Sequence, residues 1–359
     1  MRQVTGVVQH YAWGDTTFIP TLLGQPVDGR PWAELWLGTH RGGPAILEGD
    51  VSLFGVSGEL PYLLKVLAAA EPLSLQTHPS RDQAEAGFSR EDREGIEIDA
   101  PTRMYHDPHS KPELICALTP FEALCGFRGI DATVALLRRL GATALADHLD
   151  RNGLQSTVRA LYTGAFAIDE TVASCRDATA QLGAAPQAEA QPEAALVATL
   201  ADRYPGDPSV VVTLLLNRVT LAPGESIFLG PGNLHAYLRG AGVEVMGASD
   251  NVVRGGLTAK HVDVDELLAV LDIEVLDSPR TAPVEAGPGA WRYDTPHTPF
   301  RLWRYEVDGD LQHTATGREL LLCTGGSTDA ISCGEVVYLA ADERITLRGN
   351  ATVFRVEER

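Results

Sequence analysis

The stretch Ser74-Leu75-Gln76-Thr77-His78-Pro79 constrains this chain more than any other. In an extended strand the side chains alternate, so Ser74, Gln76 and His78 share one face and Leu75 and Thr77 the other. Pro79 cannot extend a central ladder, which ends the strand just after His78. A polar triplet at a strand end suits a small cavity in a β-barrel. Two later segments supply matching groups: Lys111-Pro112-Glu113 precedes the apolar run Leu114–Leu118, and Leu234-His235-Ala236-Tyr237 follows a Gly/Pro-rich turn. Gln76, His78, Glu113 and His235 together offer two imidazoles and two oxygens. That set suits one divalent ion such as zinc, with a position left for water or substrate. Lys111 and Glu113 lie two apart, so in extended chain they share a face and place an ammonium near whatever the ion holds.

At 359 residues the chain is long enough for two or three cores, and its 44% hydrophobic and 21% charged residues are those of a soluble globular protein. The formal charge of −19 argues against a nucleic-acid partner, whose phosphates demand a basic footprint. Salt screens net charge beyond roughly 10 Å, so a local cluster of Lys and Arg can still govern a site. No apolar run reaches the length of a membrane span and the first residues carry no long apolar stretch, so a cytoplasmic protein is expected. Nothing points to an obligate protein partner. The five cysteines, at 116, 125, 175, 323 and 333, form no Cys-x-x-Cys pair and read as reduced, mostly core residues.

Residues 1–128 are short apolar runs broken by Gly and Pro, which read as β with loops; 81–110 read as a long loop with a helical piece. From Asp131, a plausible N-cap, the texture becomes helical: Val134, Leu137, Leu140, Leu145 and Leu149, then Ile168, Val172 and Cys175, recur at helical spacing. Ala-rich, Pro-marked text near 184–195 reads as a linker. Strands resume at Ser209–Leu221 and dominate to the end, apart from a helix at Asp263–Leu271. Gly224-Glu225-Ser226-Ile227-Phe228-Leu229 is echoed by Gly334-Glu335-Val336-Val337-Tyr338-Leu339, a repeated Gly-Glu turn entering a strand. The expected architecture is mainly β: two cupin-type jelly-roll units with an α-helical insertion. Residues 1–128 with 208–278 form the metal-bearing unit, 129–207 the insertion and 279–359 the second unit. At the position of His235 the second copy has Ile345, so only the first should hold metal.

Several blocks, in order along the chain, resemble the type I phosphomannose isomerase family of zinc-dependent cupin enzymes. They are Tyr11-Ala12-Trp13-Gly14, Ala33 through His40, Leu64-Lys65-Val66-Leu67, Pro72 through Pro79, Tyr105 through Leu114, and His235 through Met246 with Ser249 through Arg254 and Gly256-Leu257-Thr258. The resemblance implies interconversion of mannose 6-phosphate and fructose 6-phosphate with one zinc ion. It places Arg254, Lys111, Glu244 and Asp250 at the reacting centre, and Ser74, Lys65 and Lys260 near the substrate phosphate. Gly232-Asn233-Leu234 before His235, where many members have Pro, and Gly255-Gly256 after Arg254 depart from the family pattern without removing a ligand.

Such an isomerase must open the ring, move a proton between C2 and C1, polarise the O1/O2 pair and grip the phosphate. Arg254 suits the last task or the stabilisation of enediol charge. Lys111, Glu244 and Asp250 all remain possible bases. If Val243 and Val245 pack into the wall, Glu244 points into the barrel. His10, His40, His106, His109 and His261 read as scaffold or loop residues. Two other readings use the same scaffold: an isomerase of another aldose phosphate or a free sugar, and a non-catalytic sugar-phosphate-binding cupin. Gln76 fits an iron dioxygenase poorly.

Overall fold

The computed structural model describes residues 1–184 and 191–359. Two antiparallel sheets organise it. In the first, the spatial order is Arg280–Thr281, Ser226–Leu229, Glu113–Ala117, His235–Gly247, Tyr62–Ala69, Glu34–Leu37 and Val7–Gln9. Strand alternation sets its two faces. Leu64, Val66, Leu114, Cys116, Val243 and Val245 pack into a core shared with the second sheet. Lys65, Glu113 and Glu244 face the other way and line a cavity. Val243 and Val245 thus fill the wall and Glu244 points inside. The long strand His235–Gly247 serves two sets of partners: His235 pairs with Gln76 and Cys125, whereas residues from Gly240 onward pair with Tyr62–Ala69. The change of partner falls at Gly240, whose φ is +115°. A Cβ there would lie 2.6 Å from the carbonyl oxygen of Pro120, so the position demands glycine.

The second sheet runs Val284–Gly287, Ala290–Tyr293, Phe300–Thr314, Arg344–Glu358, Glu319–Thr328, Val336–Leu339, Arg2–Thr5, Ile46–Leu47 and Val51–Ser52. Its last three strands come from the N-terminal part of the chain, so the expected division at residue 279 is crossed. Val4 supplies the reason, being buried with Val336 and Tyr338 in the core between the sheets.

Six strands occur in the same order in both sheets, and their registers correspond. Glu113 faces Leu229 as Glu319 faces Leu339. Glu244 lies between Ile115 and Lys65 as Arg355 lies between Leu321 and Trp303. The two Gly-Glu turns also match: Gly224 and Gly334 have φ of +87° and +86°. Glu225 accepts from the Ala222 amide and Glu335 from the Ser332 amide, each at 2.8 Å. In the second sheet a buried ion cluster stands at the corresponding place. Arg355 Nη1 donates to Glu319 at 2.8 Å and to Glu357 at 2.9 Å, and His313 Nε2 lies 2.6 Å from Glu319.

Helices Ile130–Arg139, Thr143–Tyr162, Asp169–Ala184 and Pro192–Arg203 fill the expected insertion. Their Leu137, Leu145, Leu149 and Val197 join one core with Leu75, Leu124, Leu234 and Val253. Leu75, on the face opposite Gln76, therefore anchors the ligand-bearing strand to the helices. Gly129, not Asp131, is the first N-cap residue; Asp131 sits in the first turn, where its charge is attracted by the positive end of the helix dipole. The expected linker falls partly on residues 185–190, outside the described residues, and Pro192 already opens the next helix. Val210–Val212 belong to a short helix rather than to the strand expected from Ser209, and the strand begins at Leu216. All three valines are buried in the helical core, and that packing overrides their β-propensity. Asp263 caps Val264–Val270, accepting from the Glu266 amide at 3.0 Å. Four cysteines are buried, and Cys333 is exposed. Among the described residues no helix is long and apolar enough to cross a membrane.

The cluster around Arg355 is a stability element, since removing one partner leaves a buried charge unpaired. Glu319→Ala should cost about 3–5 kcal/mol, read as a lowered denaturation midpoint. Elemental analysis of the same variant should show no change in bound divalent metal.

Candidate active site

His78 follows the strand Leu75–Thr77, Glu113 opens Glu113–Ala117 and His235 opens His235–Gly247. The three meet inside the first sheet, with ligand atoms within 4.8 Å of one another. Glu113 Oε1 lies 3.3 Å from His78 Nε2, and Glu113 Oε2 lies 3.5 Å from His235 Nε2. The tautomers follow from the far side of each ring. His78 Nδ1 is 2.8 Å from the Asn251 carbonyl and His235 Nδ1 is 2.9 Å from the Asn233 carbonyl. A carbonyl only accepts, so both Nδ1 atoms carry hydrogen and both Nε2 lone pairs face the carboxylate. Burial drives the His78 pKa down to about 4, so this imidazole is neutral near pH 7. Burial pushes Glu113 up, but the Lys111 ammonium outweighs it and holds the carboxyl well below its usual range.

His78 Nε2 and Glu113 Oε2 are buried without a hydrogen-bond partner. Unpaired acceptors turned toward one point are costly to bury and fit a cation placed between them. Gln76 adds a fourth group: its amide nitrogen lies 3.5 Å from His235 Nε2, and a half-turn of the amide presents its oxygen instead. Two imidazoles, a carboxylate and an amide oxygen are donors suited to zinc. Lys111 Nζ lies 3.0 Å from Glu113 Oε1, on the face the two residues share.

The centre opens on a cavity of about 760 Å³ lined by Ser74, Gln76, Lys65, Lys111, Glu113, Glu244, Asp250, Arg254 and Lys260. Every residue expected at the site is therefore at this cavity or, for His78 and His235, directly behind it. A second hollow, about 790 Å³, is walled by Pro61, Pro112, Pro231, Pro296 and Pro299 and includes none of the ligand groups.

Environment separates these residues further. Lys65 is held 3.3 Å from Glu34 and 3.2 Å from Glu244, beneath the Trp36 ring. Burial opposes its charge, but Glu34 and Glu244 prevail and keep it firmly protonated. Glu244 also accepts from the Tyr237 hydroxyl at 2.8 Å; burial raises its pKa, against the pull of Lys65. Asp250 is bound by His40 at 3.0 Å and Arg41 at 3.4 Å. Burial raises its pKa, but His40, Lys111 and Arg41 lower it to about 2. Arg254 pairs with Gln76 across the ladder, is half-buried, and has no carboxylate partner among the described residues. Lys260 is exposed at the rim.

The sequence reading passed over Glu34, Tyr237, Asn251 and the pair Arg203–Tyr204, which bring the helical insertion to the cavity wall. Glu34 could have been found, because a carboxylate in the apolar run Ala33–Leu37 needs a buried partner. No such signal marked Arg203 and Tyr204.

The fold and centre together define a metal-dependent enzyme class: a β-sheet scaffold presenting a buried His/Glu/His set to a cation-rich cavity. A family model, phosphomannose isomerase type I, catalytic domain, matches residues 50–130. The chain is 33% identical to the mannose-6-phosphate isomerase of Shigella flexneri, over 99% of each chain. It superposes on a crystal structure of mannose 6-phosphate isomerase bound with zinc and yttrium with a TM-score of 0.88 at 32% identity, covering 100% of this chain and 99% of that one. The Salmonella typhimurium enzyme bound to fructose 6-phosphate and zinc matches with a TM-score of 0.87 at 31% identity and the same coverage. This chain belongs to the type I phosphomannose isomerase family.

His235→Ala should lose stoichiometric metal and nearly all turnover. Elemental analysis checks this directly, and undiminished metal in the folded variant would rule out His235 as a ligand.

Proposed function

We propose that this protein interconverts mannose 6-phosphate and fructose 6-phosphate, using one zinc ion per chain. The observation that carries the reading is full-length identity with mannose-6-phosphate isomerases combined with an intact, orphaned His78–Glu113–His235 centre. The ligands in this reading are Gln76, His78, Glu113 and His235. Zinc bound there supplies Lewis-acid polarisation of the sugar oxygens at C1 and C2.

The remaining tasks fall to the chain's own groups. Among the candidate bases Asp250 is drawn into an ion pair with His40 and Arg41, which leaves it a poor proton acceptor. Glu244 is desolvated, oriented by Tyr237 and Lys65, and keeps a second lone pair on each oxygen; we assign it the proton shuttle between C2 and C1. Lys111, beside Glu113, is placed to donate to a sugar oxygen. Lys65 is spent on Glu34 and Glu244, so its role is to hold Glu244 ionised rather than to grip phosphate. The phosphate then falls to Lys260 and Ser74 at the outer part of the cavity, with Arg254 between them and the centre. In fold terms, the corresponding strand orders and turns support two jelly-roll units. Residues 129–207 are their helical insertion, and Arg355 takes the part of a cation in the second unit.

A coupled assay tests the function: fructose 6-phosphate should form from mannose 6-phosphate, stop on chelation and resume with added zinc. Absence of turnover in zinc-replete protein would refute it.

Arg254→Ala should lower kcat about 100- to 1000-fold, or roughly 3–4 kcal/mol, with a smaller change in KM. The enediolate carries a charge the aldose lacks, and an aimed guanidinium favours that charge selectively. A change in KM alone would make Arg254 a phosphate clamp. Lys65→Met should act differently. Removing the ammonium raises the Glu244 pKa further, so the acid limb of the kcat/KM profile should move to higher pH. An unmoved limb would remove Glu244 from the role of base.

A further inference from the structure

We infer that Asn251 is a positioning residue that locks both halves of the metal centre to one buried amide. The inference rests on the zinc reading above. Asn251 is fully buried, and its backbone carbonyl accepts the Nδ1 hydrogen of His78 at 2.8 Å. That bond fixes which His78 nitrogen faces the ion. The side chain of the same residue turns to the segment that leads into Lys111-Pro112-Glu113. Its Oδ1 accepts from the amides of His106 at 2.7 Å and Asp107 at 3.2 Å. Its Nδ2 donates to the carbonyls of Asp107 at 2.7 Å and His109 at 2.8 Å, and to Asp107 Oδ1 at 3.3 Å.

Two amides face the oxygen and two carbonyls face the nitrogen, so only one orientation of the carboxamide satisfies them and no other side chain of this size does. Asp107 completes the clamp by accepting from the Asp250 amide at 2.9 Å. The segment carrying Lys111 and Glu113, the imidazole of His78 and the cavity residue Asp250 therefore share one hub, although Asn251 itself is not among the residues lining the cavity. A partner that fixes ligand orientation in this way is typically worth about 10- to 100-fold in metal affinity.

Asn251→Asp keeps the volume and the Oδ1 acceptor but turns a second carboxylate oxygen toward two carbonyls. Zinc affinity is measured on apo protein by competition with a chromogenic chelator, alongside the apo melting midpoint and the absorption spectrum of the cobalt-substituted centre. The folded N251D variant should bind zinc about 10- to 100-fold more weakly and show an altered cobalt spectrum. Asp107→Ala, a half-exposed change that removes part of the clamp, should give an intermediate affinity. Wild-type affinity and spectrum in folded N251D would overturn the inference. If N251D does not fold, unchanged affinity in D107A overturns it equally. Failure of the wild type to bind zinc, or retention of zinc by His235→Ala, would instead strike the metal assignment itself.

Discussion

Two imidazole lone pairs and both oxygens of Glu113 are turned toward one another where water does not reach. Four acceptors in that arrangement repel; Lys111 donates to one of them at 3.0 Å, and the Gln76 amide reaches His235 only at 3.5 Å. A small cation of high charge completes the set and relieves that repulsion. Much of the surrounding structure serves that requirement. Backbone carbonyls at Asn233 and Asn251 fix the tautomers, Leu75 and Leu234 anchor the ligand segments to the helical core, and Gly240 lets one strand run from His235 to Glu244.

The second sheet meets the same problem with a different cation. Glu319 occupies the register of Glu113, and the guanidinium of Arg355 comes from the register of Glu244. A carboxylate buried beneath a sheet is tolerable when an internal arginine neutralises it, whereas the first sheet leaves Glu113 beside Lys111 and two imidazoles that an exchangeable ion can complete. The exchange has a chemical consequence. Arginine fills its own place and offers no open coordination position, so that unit can hold its charge balance but cannot polarise a substrate oxygen.

The site was more legible in the sequence than the fold. Gln76 and His78 alone could be an ordinary polar strand face; Glu113 and His235, in segments that match the family, make the set read as metal ligands. The Gly-Glu echo was legible because a left-handed glycine followed by a turn-capping glutamate is a local requirement. Long-range pairing was not. Nothing local in Arg2–Thr5 says that it joins strands over 300 residues away, since its single buried residue, Val4, fits any apolar core. Val210–Val212 misled for a related reason: β-branched residues favour strands by themselves, but burial against helices decided their conformation. The role of Lys65 could be read only after Glu34 and Glu244 were placed on either side of it.

The charge of −19 poses a problem for a protein whose substrate is a phosphate ester. Its resolution is local. Six Lys and Arg side chains line the cavity against four carboxylates, reversing the sign of the chain as a whole, before any zinc is counted. Lys65 and Lys111 lie deep, paired with Glu244 and Glu113. Arg103 is committed to Glu91 and Asp92, and Arg203 to Glu71. Arg254 and Lys260 have no carboxylate partner among the described residues. A dianion entering this cavity therefore meets unpaired cations on its outer side and paired ones at its floor. Under the assignment proposed above, that gradient orients the phosphate outward and the aldehyde end toward the ion, so the charges that attract the substrate would also decide which way round it binds.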